Sequence, residues 1–141
     1  MRGVAVLGAN GRMGQALVRL LVDHPRLRLA GALTEAGHAS VGRDAGELAG
    51  TGANGVVVTD SLAAALAAAD VVIDFSAAVA TPGHVVAAAE RGLPVVVGTT
   101  GLGADGERGL AAAAARVPVV YSRNMSLGIT VLTELARQAA R

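Results

Sequence analysis

The sequence predicts a doubly wound α/β domain: a parallel sheet of about six strands with helices on both faces. Three observations predict it. Short Val-rich runs alternate with longer Ala-rich segments whose apolar residues recur at helical spacing, as in successive βαβ units. The first run is apolar almost throughout, as a central strand buried on both faces requires. A Gly-rich turn then leads directly from that run into the first helical segment.

In chain order, the first strand is expected over residues 3–7. A helix over 11–23 follows, with Leu17, Leu20 and Leu21 turned inward and His24-Pro25 ending it. Residues 27–33 read as the second strand. Residues 35–55 are rich in Gly and polar side chains, with a brief helical signal over 45–48, so a long loop is expected there. A short third strand over 56–58 precedes a helix capped by Asp60 or Ser61 and running to Ala68. The fourth strand takes 71–75. A helix over 78–91 closes at Gly92, a residue suited to the left-handed conformation that ends helices, and Leu93-Pro94 leads into a fifth strand over 95–97. A helix over 104–115 and a sixth strand from Pro118 to about Tyr121 repeat the unit. An amphipathic helix over 126–140 comes last, with Leu127, Val131, Leu132 and Leu135 spaced for one face.

At 141 residues the chain fits one domain, able to bury roughly two thirds of the surface its unfolded form exposes. Its 52% hydrophobic content is mostly Ala and Val, with one Phe and one Tyr, so small side chains must pack closely and helices can lie near the sheet. The formal charge is +1, and the basic residues, all Arg, are scattered singly. Nucleic acid would need a basic face and stacking aromatics, and neither is visible. Without cysteine there is no disulfide framework and no thiolate metal site, and His24, His38 and His84 are too far apart in sequence to suggest one. The first residues run into a strand pattern and not a signal peptide, and no apolar run approaches the roughly 20 residues of a membrane span. A soluble cytoplasmic domain is expected.

The turn after the first strand reads Gly8-Ala9-Asn10-Gly11-Arg12-Met13-Gly14, three glycines at intervals of three between strand and helix. Glycine permits the sharp turn and removes the Cβ that would block a pyrophosphate. Free N–H groups and the positive end of the helix dipole meet the phosphate charge. The predicted ligand is therefore a dinucleotide, held mainly by backbone in a Rossmann-type domain. Arg12 either lies over the phosphates or adenine or stays solvated. Glu35 falls about 20 residues beyond the loop, where a carboxylate accepts hydrogen bonds from the adenosine ribose, unless it is only an exposed loop acid. Ala36 follows it and no Arg stands close behind, so a 2′-phosphate has no evident cationic partner and NADH is expected to serve at least as well as NADPH, unless Arg12 or Arg43 folds back.

In open parallel sheets ligands bind at the carboxyl ends of the strands. The tails of the last three strands read Asp74-Phe75-Ser76, Gly98-Thr99-Thr100-Gly101 and Ser122-Arg123-Asn124-Met125-Ser126-Leu127-Gly128. The Gly98 to Gly101 loop of small residues suits a flat polar ring such as the nicotinamide carboxamide. Alone, it reads more simply as a glycine turn with Thr capping a helix. Asp74 is expected to accept a backbone N–H, and His84 to be a helix-terminal or packing residue.

These motifs, together with Asp44-Ala45-Gly46-Glu47-Leu48, stand in the order and approximate spacing of the dihydrodipicolinate reductase family, which the whole chain resembles over the first half of the family's usual length. The resemblance implies an NADH- or NADPH-dependent oxidoreductase of bacterial lysine and diaminopimelate synthesis that transfers hydride to 4-hydroxy-tetrahydrodipicolinate, a small cyclic dicarboxylate. It places Gly8, Ala9, Asn10, Gly11, Arg12 and Met13 at the pyrophosphate, Glu35 at the ribose, Gly98, Thr99 and Thr100 at the nicotinamide, and Ser122, Arg123, Asn124 and Met125 in a hinge segment, about 122–128, beside cofactor and substrate. The family commonly has an aromatic at Met125 and an Arg at Ala36. Its His-His segment, catalytic Lys and Ser-Gly-Thr anion loop belong to a substrate domain beyond Arg141, and this chain has no Lys. Residues 1–141 are accordingly expected to form the cofactor domain alone, with no catalytic residue or metal ligand among them and no useful turnover in isolation. The complete protein is expected to be a homo-oligomer, a tetramer by resemblance. A non-catalytic NAD(H)-sensing module is the alternative that fold by itself leaves open.

Overall fold

The computed structural model describes residues 1–141, Met1 to Arg141. Strand β1 (Arg2–Leu7) is followed by α1 (Arg12–Leu21), β2 (Leu27–Leu33), α2 (Ala45–Ala49), β3 (Val58–Thr59) and α3 (Leu62–Ala65). Then come β4 (Val71–Asp74), α4 (Thr81–Glu90), β5 (Val95–Val97), α5 (Gly103–Ala114), β6 (Val119–Tyr121) and α6 (Leu127–Ala139). The six strands form one sheet in the order β3-β2-β1-β4-β5-β6, and all pairs are parallel. The chain winds outward from β1 in one direction and then, through β4, in the other, so a topological switch point lies between β1 and β4.

Alternation along β1 builds the two halves of the core. Val4 and Val6 point to one face, where Val18 and Leu21 of α1 and Ala45 and Ala49 of α2 cover them. Ala5 and Leu7 point to the other, packed with Val85, Ala88 and Ala89 of α4 and Leu110 and Ala113 of α5. The covering side chains are small, as the Ala-rich composition demands. Gly31 of β2 carries this furthest: a Cβ there would lie 1.9 Å from the Ala65 carbonyl oxygen of α3.

Several boundaries differ from those expected. On α1, Gly14, Val18 and Leu21 are buried while Leu20 is 71% exposed, because Leu20 lies about 200° round the helix from Val18. The third strand is Val58–Thr59 and not residues 56–58. The backbone of Val56 accepts from the Ala45 N–H, and Val57 bridges Asp44 in antiparallel fashion, so the long loop claims both residues. That loop is ordered around Asp44, whose carboxylate accepts from the backbone N–H groups of Gly46, Glu47, Asn54 and Gly55 and caps α2. Ser61, not Asp60, caps α3, which ends at Ala65. Helix α4 starts at Thr81, after a turn over 78–80, and Gly92 follows it with φ 71°. Helix α6 has an apolar stripe, but none of its residues is buried. No helix is long and apolar enough to cross a membrane.

The pairing register aligns Thr59, Leu33, Leu7, Asp74, Val97 and Tyr121 in one row across the sheet. Every loop that leaves the carboxyl end of a strand therefore starts from the same edge. The conserved geometry of parallel pairing thus gathers segments far apart in sequence into a single rim.

Candidate functional site

The three glycines of the first loop are there for different reasons. Gly8 has φ +80°, and a Cβ on it would sit 2.7 Å from the Phe75 carbonyl oxygen, so both the turn and the approach to β4 exclude a side chain. On Gly14 a Cβ would lie 2.1 Å from the Gly8 carbonyl oxygen, so this glycine lets α1 pack onto the loop. Gly11 has an ordinary φ of −74°, and its Cβ would meet only the Gly8 oxygen at 3.3 Å. The chain's own packing explains Gly8 and Gly14; Gly11 lines the open groove beside the loop.

Donors converge on that open side. The N–H groups of Gly8 and Ala9 are taken by the Leu33 carbonyl, at 3.0 and 2.9 Å, which ties the loop to β2. The first bond of α1 runs from the Gln15 N–H to Gly11 at 2.9 Å, so the N–H groups of Arg12, Met13 and Gly14 have no carbonyl in their own helix. Gly11 offers no side-chain cap and the first turn has no acid, so no side chain of the helix's own first turn offsets the positive end of its dipole.

Beside the loop, the Glu35 Oε2 accepts from the Thr34 hydroxyl at 2.9 Å and from the Asn10 amide at 3.3 Å. Its own backbone N–H, then the Thr34 hydroxyl, hold the carboxyl below the usual glutamate range, so it stays ionised. No arginine pairs with it; the nearest cation former is His38, 3.9 Å away.

On the other side, β4 ends in Asp74, which is fully buried. Its Oδ1 accepts from the Ser76 N–H at 2.8 Å and lies 3.3 Å from the Thr99 hydroxyl, while its Oδ2 is 2.9 Å from the His84 Nδ1. Burial pushes this carboxyl upward, but hydrogen bonds from His84 and Ser76 outweigh it and hold the pKa below that of ordinary aspartate.

Between these flanks runs a groove of about 500 Å³ at the switch point. Gly8, Asn10 and Gly11 form its middle, Thr34 and Glu35 one wall, and Phe75, Ser76, Ala77, Ala80 and His84 the other. Such a size is within the ordinary range of cofactor pockets.

Of the residues picked out in the sequence, the groove collects Gly8, Asn10, Gly11 and Glu35. Ala9 is buried beneath the loop, and Arg12 and Met13 are exposed at the start of α1 without lining the groove. Gly98 fits under the Phe75 ring, whose Cε1 a Cβ would approach to 2.1 Å. Thr99 is buried and turned toward Asp74, Thr100 is exposed, and neither caps α5, whose N-cap is Leu102. Ser122 and Asn124 close a turn: the Ser122 hydroxyl donates to the Asn124 carbonyl at 2.6 Å, and the Asn124 side chain accepts from the Ser126 N–H. Arg123 pairs with Glu107 of α5, and Met125 is 45% exposed. These last residues share the rim but stand apart from the groove. Asp74 does accept the backbone N–H expected of it. His84, in contrast, is more than a packing residue, because it is the hydrogen-bond partner of a buried carboxylate. Nothing local in the sequence links the two; only the turn between β4 and α4 does.

The strand order, the glycine loop and the acid-flanked groove define a Rossmann-type, NAD(P)-binding domain. The sequence model described as "Dihydrodipicolinate reductase, N-terminus" matches residues 2–125, and the chain belongs to that family. Among curated proteins, it is 51% identical over all of its length to a 4-hydroxy-tetrahydrodipicolinate reductase of Anaeromyxobacter sp. (strain Fw109-5). It is 46% identical over 99% of its length to the enzyme of that name from Halorhodospira halophila. The chain spans about half, 52%, of each of these relatives. A solved structure, aspartate semialdehyde dehydrogenase with NADP from Candida albicans, shares the fold at a TM-score of 0.58 and 23% identity, over 71% of this chain and 30% of that one.

Proposed function

We propose that this chain is the cofactor-binding half of a 4-hydroxy-tetrahydrodipicolinate reductase, an NAD(P)H-dependent oxidoreductase that works in the cytoplasm on a small cyclic dicarboxylate. The carrying observation is the groove at the switch point, where unpaired donors of α1 and an ionised Glu35 flank Gly11, whose Cβ would meet only the Gly8 oxygen at 3.3 Å. Bound there, the cofactor supplies the hydride. The chain's own residues bind and orient it. Gly8 to Met13 hold the pyrophosphate through the backbone, Glu35 accepts from the adenosine ribose hydroxyls, Gly98 to Thr100 border the nicotinamide, and Ser122 to Met125 form the hinge toward a substrate-binding half. The relatives' length supports that second half, as does α6, whose apolar stripe covers nothing within this chain.

The charge at Glu35 bears on cofactor choice. An ionised carboxylate with no paired arginine accepts from a free 2′-hydroxyl and repels a 2′-phosphate. NADH therefore binds at least as well as NADPH. Calorimetric titration of the chain with both nucleotides is the test. Glu35→Ala is expected to weaken NADH about tenfold, the loss of one charge-assisted hydrogen bond, and NADPH less. Failure of the chain to bind either nucleotide would overturn the proposal.

A further inference from the structure

The chain has three asparagines, and two of them, Asn10 and Asn54, are followed by glycine. An Asn-Gly pair carries a covalent reaction of its own. The main-chain nitrogen of the glycine attacks the Asn Cγ, its proton passes to water, the Cγ–Nδ2 bond breaks to release ammonia, and a five-membered succinimide forms. Water then opens the ring at either carbonyl, giving aspartate or, with the main chain rerouted through Cγ, isoaspartate. Glycine permits the attack because it has no Cβ in the way and the widest choice of backbone angles. Whether a folded chain allows it depends on what surrounds the attacking nitrogen and the departing amide.

At Asn54 those surroundings oppose the reaction. The Gly55 N–H donates to the Asp44 carboxylate at 2.8 Å, a charge-assisted bond, and the negative charge beside it disfavours loss of the proton. The Asn54 side chain is also engaged: its Oδ1 accepts from the Val56 N–H at 3.0 Å, and its amide packs on Gly46, where a Cβ would come within 3.0 Å of Nδ2. At Asn10 the electrostatic signs are reversed. The Gly11 N–H donates to the neutral Gly8 carbonyl at 3.0 Å, and Gly11 is the N-cap of α1, whose dipole favours negative charge developing at the reacting centre. The departing amide faces the Glu35 carboxylate at 3.3 Å, which favours the positive charge Nδ2 takes on as it leaves. Exposure alone ranks the two sites the other way, since Asn54 is exposed and Asn10 half-buried.

We propose that Asn10 is a site of spontaneous deamidation, reacting in the folded chain in preference to Asn54. The product rewrites the loop after β1. Where an amide donated to Glu35, a second carboxylate now faces it, and the isoaspartate form also lengthens the main chain between residues 10 and 11. Both changes fall in the groove that Asn10, Gly11 and Glu35 line. The functional consequence rests on the cofactor reading proposed above: an added negative charge beside the pyrophosphate weakens the nucleotide, so the modification switches the site off without a modifying enzyme.

The test follows each site by peptide mapping in a mass spectrometer, which reads the mass change from amide to acid. The purified chain is kept in mildly alkaline buffer, folded in one sample and unfolded in urea in another. In urea the two Asn-Gly pairs lose their surroundings and convert at comparable rates. In the folded chain Asn10 is expected to convert about tenfold faster than Asn54, the effect of a helix dipole on one side and a charge-assisted bond on the other. Gly11→Ala, whose methyl hinders the attack, slows conversion at Asn10 and leaves Asn54 as it was. The proposal is overturned if Asn54 keeps pace with Asn10 in the folded chain, or if folded Asn10 stays unchanged while the urea sample converts. Calorimetry on Asn10→Asp reads the consequence separately, with NADH weakened at least about tenfold. An unmodified chain that binds no NADH removes the cofactor reading, while the mass measurement still decides the modification site; an Asn10→Asp chain that binds NADH as the unmodified one does removes the switch.

Discussion

Gly14→Ala and Gly11→Ala are the same chemical change three residues apart, yet the structure assigns them opposite outcomes. At Gly14 the new methyl would lie 2.1 Å from the Gly8 carbonyl oxygen, 2.6 Å from the Ala9 Cα and 2.8 Å from the Ala9 carbonyl carbon, all backbone that no rotamer change can move. Helix α1 must retreat by roughly 1 Å, an overpacking cost of about 3 kcal/mol at the upper end of the usual range. Better helix propensity returns about 1 kcal/mol, leaving a net loss of about 2 kcal/mol and a melting temperature about 6–8 °C lower in a chain of this size. At Gly11 the methyl meets one oxygen at 3.3 Å with an ordinary φ, so stability changes by less than about 1 kcal/mol. On the proposed reading that methyl stands in the path of the pyrophosphate, and NADH affinity is expected to fall at least about tenfold. Thermal unfolding followed by circular dichroism and titration calorimetry read the two effects separately. If Gly11→Ala unfolds as readily as Gly14→Ala, or binds NADH as the unmodified chain does, the division of labour among these glycines is wrong.

Two further outcomes concern stability and association. Asp74 has a folded pKa below the ordinary value of 3.8, so its contribution is present above that value and is lost as pH falls through the folded one. The urea midpoint of Asp74→Asn should therefore drop less between about pH 5 and about pH 3 than that of the unmodified chain, and equal drops would remove Asp74 from the acid transition. On α6, Leu132 and Leu135 are 61% and 57% exposed. Converting both to Gln is expected to leave the melting temperature within about 2 °C while reducing self-association in sedimentation velocity; a large loss of stability would show that the helix packs on the domain after all.

The chain's order of elements, its parallel sheet and its glycine loop were legible because they rest on local physics. Period-two and period-3.6 apolar patterns mark strands and helices, and glycine at a strand-to-helix turn announces a backbone that must bend and be approached. That Glu35 stands beside the loop was legible for the same reason, since the length of a βαβ unit sets its distance from it. Five short motifs in register pointed to the family. Where the prediction missed, a distant partner decided. Leu20 lost its inward place because the face of α1 that meets the sheet carries Gly14, Val18 and Leu21, and β3 shifted because the loop around Asp44 claimed Val56 and Val57. The roles of the three glycines, indistinguishable as letters, separated only once Phe75 and Gly8 were seen to crowd two of them and spare the third. Asp74 and His84 stand ten positions apart, with no spacing rule to join them, and it is the turn from β4 into α4 that brings them to 2.9 Å and turns the ring to the groove. Sequence by itself determined the elements and the kind of ligand, because periodicity and glycine sterics act within a few residues. Which groups line the groove was decided by tertiary structure alone, because it depends on contacts between segments that the sheet's register brings to one rim.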